Sequence, residues 1–336
     1  MIAPSRICAV LPIKKECKMT NGYKPEGMRI ATPENEEYLS SLSSLEHAMH
    51  CGAIVEGLVT LCDGDLRLHV DLGCAEGVIE PEEAVYCRLG ETRKDIAIIT
   101  RVGKPVAFVI QSIETQGKVT IAHLSRRLAQ QKCLQHLLSN LRTGDLLEAQ
   151  VTHLESFGAF LDIGCGVSSL LSVDCISVSR ISHPRDRLFC GMTLPVIVKS
   201  IDRESERIYV TLRELLGTWE ENAARFCVGQ TVTGIIRSVE SYGVFVELAP
   251  NLAGLAEIRE ELMPELEKRI GKCAAVYIKS IVPERMKIKL ILIDFCTAQA
   301  PSRELTYYIN ADTTQHLSRW VYSPQNAKRL IETMFE

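Results

Sequence analysis

No stretch of this chain of 336 residues is apolar for long enough to cross a bilayer; "ICAVLPI" near the start comes nearest and is far too short. Positive charge is not in excess either. A net charge of −4 argues against coating nucleic acid by bulk electrostatics. Any nucleic-acid role must then rest on local basic groups and on stacking. The thirteen cysteines include no CxxC pair and are odd in number. Without a secretory signal, that pattern fits reduced intracellular thiols, and a soluble, cytoplasmic protein is expected. GxSxG, HExxH, P-loop and paired-carboxylate motifs are all missing. "EHAMHC" sets His47, His50 and Cys51 on one candidate helix, but no second cluster supplies the remaining ligands of a metal site. No metal and no cofactor are expected.

What the chain does have is repetition, which takes precedence in a reading of fold. "ESFGAFLDIG" begins at Glu155 and "ESYGVFVELA" at Glu240. Around them Gly144–Ile163 matches Gly229–Leu248 without gaps, and a second ungapped block sets Gly191–Leu212 against Gly271–Leu292. Phe157 meets Tyr242, Phe160 meets Phe245, Lys199 meets Lys279 and Arg207 meets Lys287. A more worn copy precedes both, opening with "GAIVEGLVTLCDGDLRLHVDLG" at Gly52 and closing with "GKPVAFVIQSIETQGKVTIAHLS" at Gly103. Three copies of about 80 residues each are large enough to fold as separate small domains.

Within each copy the second strand alternates with period two. Ala159, Leu161 and Ile163 oppose Phe160 and Asp162; Val244, Val246 and Leu248 oppose Phe245 and Glu247; Leu68, Val70 and Leu72 oppose Arg67, His69 and Asp71. Each aliphatic row suits a core and leaves a ring on the other face. Helical connectors separate the copies: "LSRRLAQQKCLQHLLSNLR", and "GTWEENAARF" with the capping-box spacing of Thr218 and Glu221. The insertion "SVSRISHPRDRLFCG" reads as a loop with one short helical turn. In the last segment Ser323 as N-cap and Pro324 at the first helical position predict a helix, with Leu330, Ile331, Met334 and Phe335 as its apolar side. Residues before Ser40 suggest a loop followed by a helix start. The first eighteen fit no named element and are expected to be either a disordered tail or an upstream start to a chain that usefully begins at Met19.

The glycine opener, "FGAF" with an acid two positions on, and a closing "VKSID" strand resemble the S1 RNA-binding domain. The linker "ELLGTWEENAARFCVGQTVTG" is similar to the Trp-Glu connector of the multi-repeat ribosomal S1 proteins of bacteria, and "GVIEPEEA" with "LSRR" to their degenerate leading repeats. The resemblance covers roughly residues 50 to 293. It implies three five-stranded β-barrels of the OB type in tandem, an all-β fold with helical linkers. The expected division is an N-terminal extension, partly disordered, at 1–49; a degenerate S1-like barrel at 50–125; a helical linker at 126–142; a barrel at 143–213; a second helical linker at 214–226; a barrel at 227–293; and a tail with a helix at 294–336.

OB barrels bind single strands on the face of strands two and three. Carried over residue by residue, the resemblance puts binding rings at Phe157, Phe160, Tyr242 and Phe245. It puts basic contacts at Lys199, Arg207 and Arg213, and at Lys279, Lys287 and Lys289. Where the family often carries a strand-three histidine, this chain has Ser172 and Glu257, and the first copy keeps only His69. The expectation is therefore a non-catalytic protein that binds single-stranded RNA, mRNA included, at the small ribosomal subunit, led by the second copy. The flanks of about 50 and 40 residues are too short for a separate catalytic domain. The alternative is a ribosome- or protein-interaction scaffold whose barrels have largely lost RNA binding. No membrane partner is expected.

Overall fold

A computed structural model describes residues 23–88, 90–117, 119–258, 263–299 and 305–335. The first eighteen residues lie outside this range. Three closed five-stranded barrels follow one another along the chain. The first is built from β1 (Val55–Cys62), β2 (Leu68–Asp71), β3 (Glu76–Ile79), β4 (Pro105–Gln116) and β5 (Val119–Ser125). The second comprises β6 (Leu146–Glu155), β7 (Gly158–Asp162), β8 (Ser168–Ser172), β9 (Thr193–Asp202) and β10 (Arg207–Thr211). The third comprises β11 (Thr231–Glu240), β12 (Gly243–Ala249), β13 (Leu252–Ala256), β14 (Lys272–Val282) and β15 (Lys287–Gln299). In each, the third strand pairs parallel with the fifth and every other pairing is antiparallel. That is the closure expected of an OB barrel.

The repeated glycine of the "FGAF" and "YGVF" motifs has a steric cause. A Cβ on Gly158 would stand 2.5 Å from the Leu171 carbonyl oxygen, and one on Gly243 2.6 Å from that of Ala256. Only a residue without a side chain lets the second strand enter this close to the third. The aliphatic rows read from the sequence fill the cores: Ala159, Leu161, Ile163, Val244, Val246, Leu248, Leu68, Val70 and Leu72 are all buried.

The described residues also form six α-helices: α1 (Pro33–Leu39), α2 (Leu42–Cys51), α3 (Asp95–Ile99), α4 (Arg126–Asn140), α5 (Trp219–Ala223) and α6 (Met263–Glu267). Ser125 caps α4, and Thr218 with Glu221 closes the capping box of α5. Trp219 is buried in this linker and its backbone N–H donates to the Tyr322 carbonyl. Among the described residues no helix is long and apolar enough to cross a membrane.

The barrels meet through charged groups removed from water. Residues ahead of α1 enter the seam between the first two barrels. There Glu26 takes a two-pronged hydrogen bond from Arg126, at 2.6 and 2.8 Å, and its N–H donates to Asp162. Burial pushes the Asp162 carboxyl up to about 7, against three backbone N–H donors from Glu26, Gly164 and Gly166. The insertion in the second barrel, whose one helical turn spans Pro184–Asp186, docks on the third. Arg187 and Arg237 both donate to Glu247, at 2.6 and 2.5 Å, and Arg237 also reaches Asp186. Ser179 N–H donates to the Pro250 carbonyl and Val178 N–H to the Asn251 side chain. The cores of the second and third barrels merge into one apolar cluster, whereas the first has its own.

The C-terminal segment departs from the sequence reading. Instead of a helix over 323–335, residues Arg319–Val321 (β16) and Glu332–Met334 (β17) form an antiparallel pair. The Ser323 hydroxyl does not cap a helix; it accepts from Ile331 N–H and donates to the Arg329 carbonyl, closing a loop. The supposed apolar side is split, with Leu330 and Met334 exposed and Phe335 buried. Packing decides the outcome. Trp320 and Tyr322 are buried, Leu317 N–H donates to the Gly144 carbonyl, and the Tyr322 hydroxyl donates to that of Asn251. The segment straps the second barrel to the third. At the other end of the third barrel, β15 runs to Gln299, past the expected boundary at 293, with the Arg269 guanidinium 4.4 Å above the Phe295 ring.

Glu247 and Arg187 are both essentially sealed from solvent, so removing one charge strands the other. Glu247→Gln should lower the stability of the unit formed by the second and third barrels by about 3–5 kcal/mol in urea denaturation. A midpoint that does not move would show that the network does not hold the barrels together.

Candidate nucleic-acid interface

The outer face of each barrel carries one row of side chains across strands one, two, three and five. In the second barrel the row is His153, Phe160, Leu170 and Tyr209. In the third it is Ser238, Phe245, Leu255 and Lys289, and in the first Leu61, His69, Val78 and His123. A β-bulge in the first strand of every barrel, at Val59/Leu61, Val151/His153 and Ile236/Ser238, puts the strand-one residue into this row.

Phe160 and Phe245 are half-buried and lie outside the core. Beside each stands a more exposed ring, Phe157 at 54% and Tyr242 at 62%. The pairs have the same shape: centroids 6.0 Å apart at 88° in the second barrel, 6.2 Å apart at 90° in the third. Edge-to-face packing of this kind holds a ring in place while leaving a π-face open. His153 adds a third ring, stacked beside Phe160 at 6.5 Å. Sequence reasoning missed His153, because the bulge that sets it in the row leaves no mark in the pattern of residues, and Tyr209, which joins through the parallel pairing of the fifth strand with the third.

The six basic residues divide. In the third barrel Lys279, Lys287 and Lys289 are exposed, and among the described residues no ion pair engages them. Lys279 and Lys289 line a groove of about 120 Å³ with Leu255, Glu257, Leu290 and Ile291. In the second barrel each basic group has a partner within the chain. Lys199 Nζ donates to Cys175 Sγ at 3.0 Å, a contact that raises its pKa. Arg207 pairs with Glu91 at 3.3 Å, in a solvent-exposed contact. Arg213 pairs with buried Glu214 at 3.1 Å and donates to the Thr333 hydroxyl of the C-terminal strap. These contacts differ in strength. An exposed pair such as Arg207–Glu91 contributes about 0–1 kcal/mol and yields to a phosphate. Glu214 is buried and also accepts from the Thr211 and Thr333 hydroxyls, so Arg213 is one of three donors gathered on a single carboxylate. Arg213 thus reaches the C-terminal strap, and its backbone carbonyl accepts from the Asn251 side chain of the third barrel.

In the first barrel the equivalent face is acidic. His69 is held by Glu76 at 2.8 Å and by Asp63 at 3.4 Å, and Glu114 lies 3.9 Å from His123. His47 on α2 packs near Tyr38 and His50 contacts the Glu46 carbonyl. Among the described residues no group of three or more His, Cys, Asp or Glu side chains is arranged to hold a metal ion.

Comparison with known proteins bears on these barrels. Residues 140–213, the second barrel with its approach, match the family described as S1 RNA binding domain. The small ribosomal subunit protein bS1 of Staphylococcus aureus is 32% identical over 163 residues, which are 47% of this chain and 41% of the relative. That of Rhodopseudomonas palustris is 29% identical over 183 residues, 53% of this chain and 32% of the relative. The matched part thus spans less than half the length of these relatives. Among solved structures, a multidomain protein with nucleic acid binding domains from Streptococcus pneumoniae aligns over 72% of this chain and 73% of its own, at 16% identity and a TM-score of 0.21. Residues 140–213 thus match the S1 RNA binding domain family, and about half of the chain is similar in sequence to bacterial ribosomal protein bS1.

Proposed function

We propose that this chain binds single-stranded RNA without catalysis, on the outer faces of its second and third barrels, and that it acts in translation at the small ribosomal subunit. The observation that carries the reading is the pair of matched T-shaped ring contacts, Phe157 with Phe160 and Tyr242 with Phe245, each on the open face of its barrel. Stacking a base on such a ring contributes about 1–3 kcal/mol and requires no particular sequence. Similarity to bS1 supports the ribosomal setting.

The division of labour differs from that expected of the sequence. Both barrels offer rings, but the open lysines belong to the third. We assign the larger phosphate-binding share to Lys279, Lys287 and Lys289, with Lys199 and Arg207 contributing after release from their partners. Arg213 is assigned to structure. The first barrel fits the alternative reading, that of an interaction module, because Asp63, Glu76 and Glu114 crowd the face that would meet a phosphate chain.

Three outcomes check this. Phe160→Ala with Phe245→Ala should weaken binding to a uridine oligomer at least tenfold, read by fluorescence anisotropy, with the circular dichroism spectrum preserved. An unchanged titration curve would remove this face from consideration. Replacing Lys279, Lys287 and Lys289 by Gln should flatten the slope of log affinity against log salt by about 2, whereas Arg213→Gln should leave that slope alone. The third outcome concerns the first barrel. The Glu76 hydrogen bond, opposed by partial burial and aided by Asp63, raises the His69 pKa above its ordinary 6.5. The protonated ring therefore stabilises the barrel fully at pH below 6.5, and the gain fades as pH rises through the raised value. His69→Gln should lower the melting temperature at about pH 5.5 and have little effect near pH 9. Equal losses at both would mean that the ring acts by packing alone.

A further inference from the structure

The groove beside Phe245 contains a carboxylate where a phosphate-binding surface would be expected to avoid one. Glu257 follows β13, is exposed, and lines the groove with Lys279 and Lys289. Among the described residues no ion pair or hydrogen bond engages its side chain, although two ammonium groups share the same groove. The flat apolar side is supplied by Leu255, paired in register with Phe245, and by Ile291.

An ionised carboxylate only accepts hydrogen bonds, and its two oxygens are best used by two adjacent donors. Among the four bases guanine alone offers that arrangement on its Watson–Crick edge, with N1–H beside the N2 amino group. Uracil sets one N–H between two carbonyls, which would repel the second oxygen. Cytosine and adenine present one amino group next to a ring nitrogen that also accepts. Unstacked bases in single strands are read on this edge.

We propose that Glu257 makes the third barrel selective for guanine: the base lies against Phe245 and Leu255, the carboxylate accepts N1–H and N2–H, and Lys279 and Lys289 hold the flanking phosphates. The second barrel is an internal control. Its counterpart of Glu257 is Ser172, whose hydroxyl bonds to Asp174, and Tyr209 replaces Lys289 in the row. Selectivity is then confined to one of the two platforms. This inference rests on the RNA-binding reading above and adds a base preference to it.

The test uses the full chain and three uridine oligomers of equal length, with a single central guanosine, inosine or adenosine. Inosine keeps N1–H and lacks the amino group, so it removes one of the two proposed bonds. Guanosine should be preferred about tenfold over inosine and over adenosine, within the range of one good bidentate contact. Glu257→Gln, which presents one acceptor and one donor, should bring guanosine down to the level of inosine. Equal affinities for all three oligomers in the unmodified chain would overturn the inference and leave RNA binding standing. So would a Glu257→Gln variant that tightens all three alike, since the glutamate would then act only by repelling phosphate. If no oligomer binds, the RNA-binding reading itself fails and the preference falls with it.

Discussion

The second strand of each barrel must satisfy two faces at once, and the rest of the molecule follows from how it does so. Inward, a row of aliphatic side chains fills the barrel. Outward, the same strand leaves a ring near its start and an acid near its end. In the second and third barrels Phe160 and Phe245 stay on an open surface, while Asp162 and Glu247 are buried by neighbouring segments. One strand thus supplies the core, the ligand face and the joint between domains. The glycine at its entry, where a Cβ would meet a carbonyl oxygen, makes the close crossing possible.

The acid end explains why the barrels do not behave as beads on a string. Glu247 removed from water would be costly alone, and two arginines make it tolerable; Asp162 accepts from backbone N–H groups, which oppose the upward push of burial and of the nearby Glu26 carboxylate. Such contacts favour one arrangement over others, since a misplaced barrel leaves a charge without a partner. Two stacking platforms held in a defined relation gain from effective concentration when a single strand reaches both. The strap formed by β16 and β17 adds to the same joint and takes Arg213 with it.

Local pattern made much of this legible. Period-two alternation found the core rows and put the rings outside, the repeats gave the number of barrels, a leucine-rich run marked α4 and a capping box marked α5. What stayed hidden depends on residues distant in the chain. Nothing near Arg213 announces that Thr333 will meet it, and nothing near Glu247 reveals Arg187 sixty positions earlier. Ser323 and Pro324 carry a local helix signal, but burial of Trp320, Tyr322 and Phe335 against the barrels overrides it. His153 reaches the aromatic row only because a bulge displaces it, and a bulge is a backbone event with no residue signature here.

The central claim is that bases lie on the rings of the second and third barrels. Ultraviolet crosslinking of the full chain to a uridine oligomer, followed by mass spectrometric mapping of the crosslinked peptides, tests it most directly. Adducts should fall on the strands that contain Phe160 and Phe245, with none on the acidic face of the first barrel. Adducts confined to the first barrel, or to the C-terminal strap, would contradict the account.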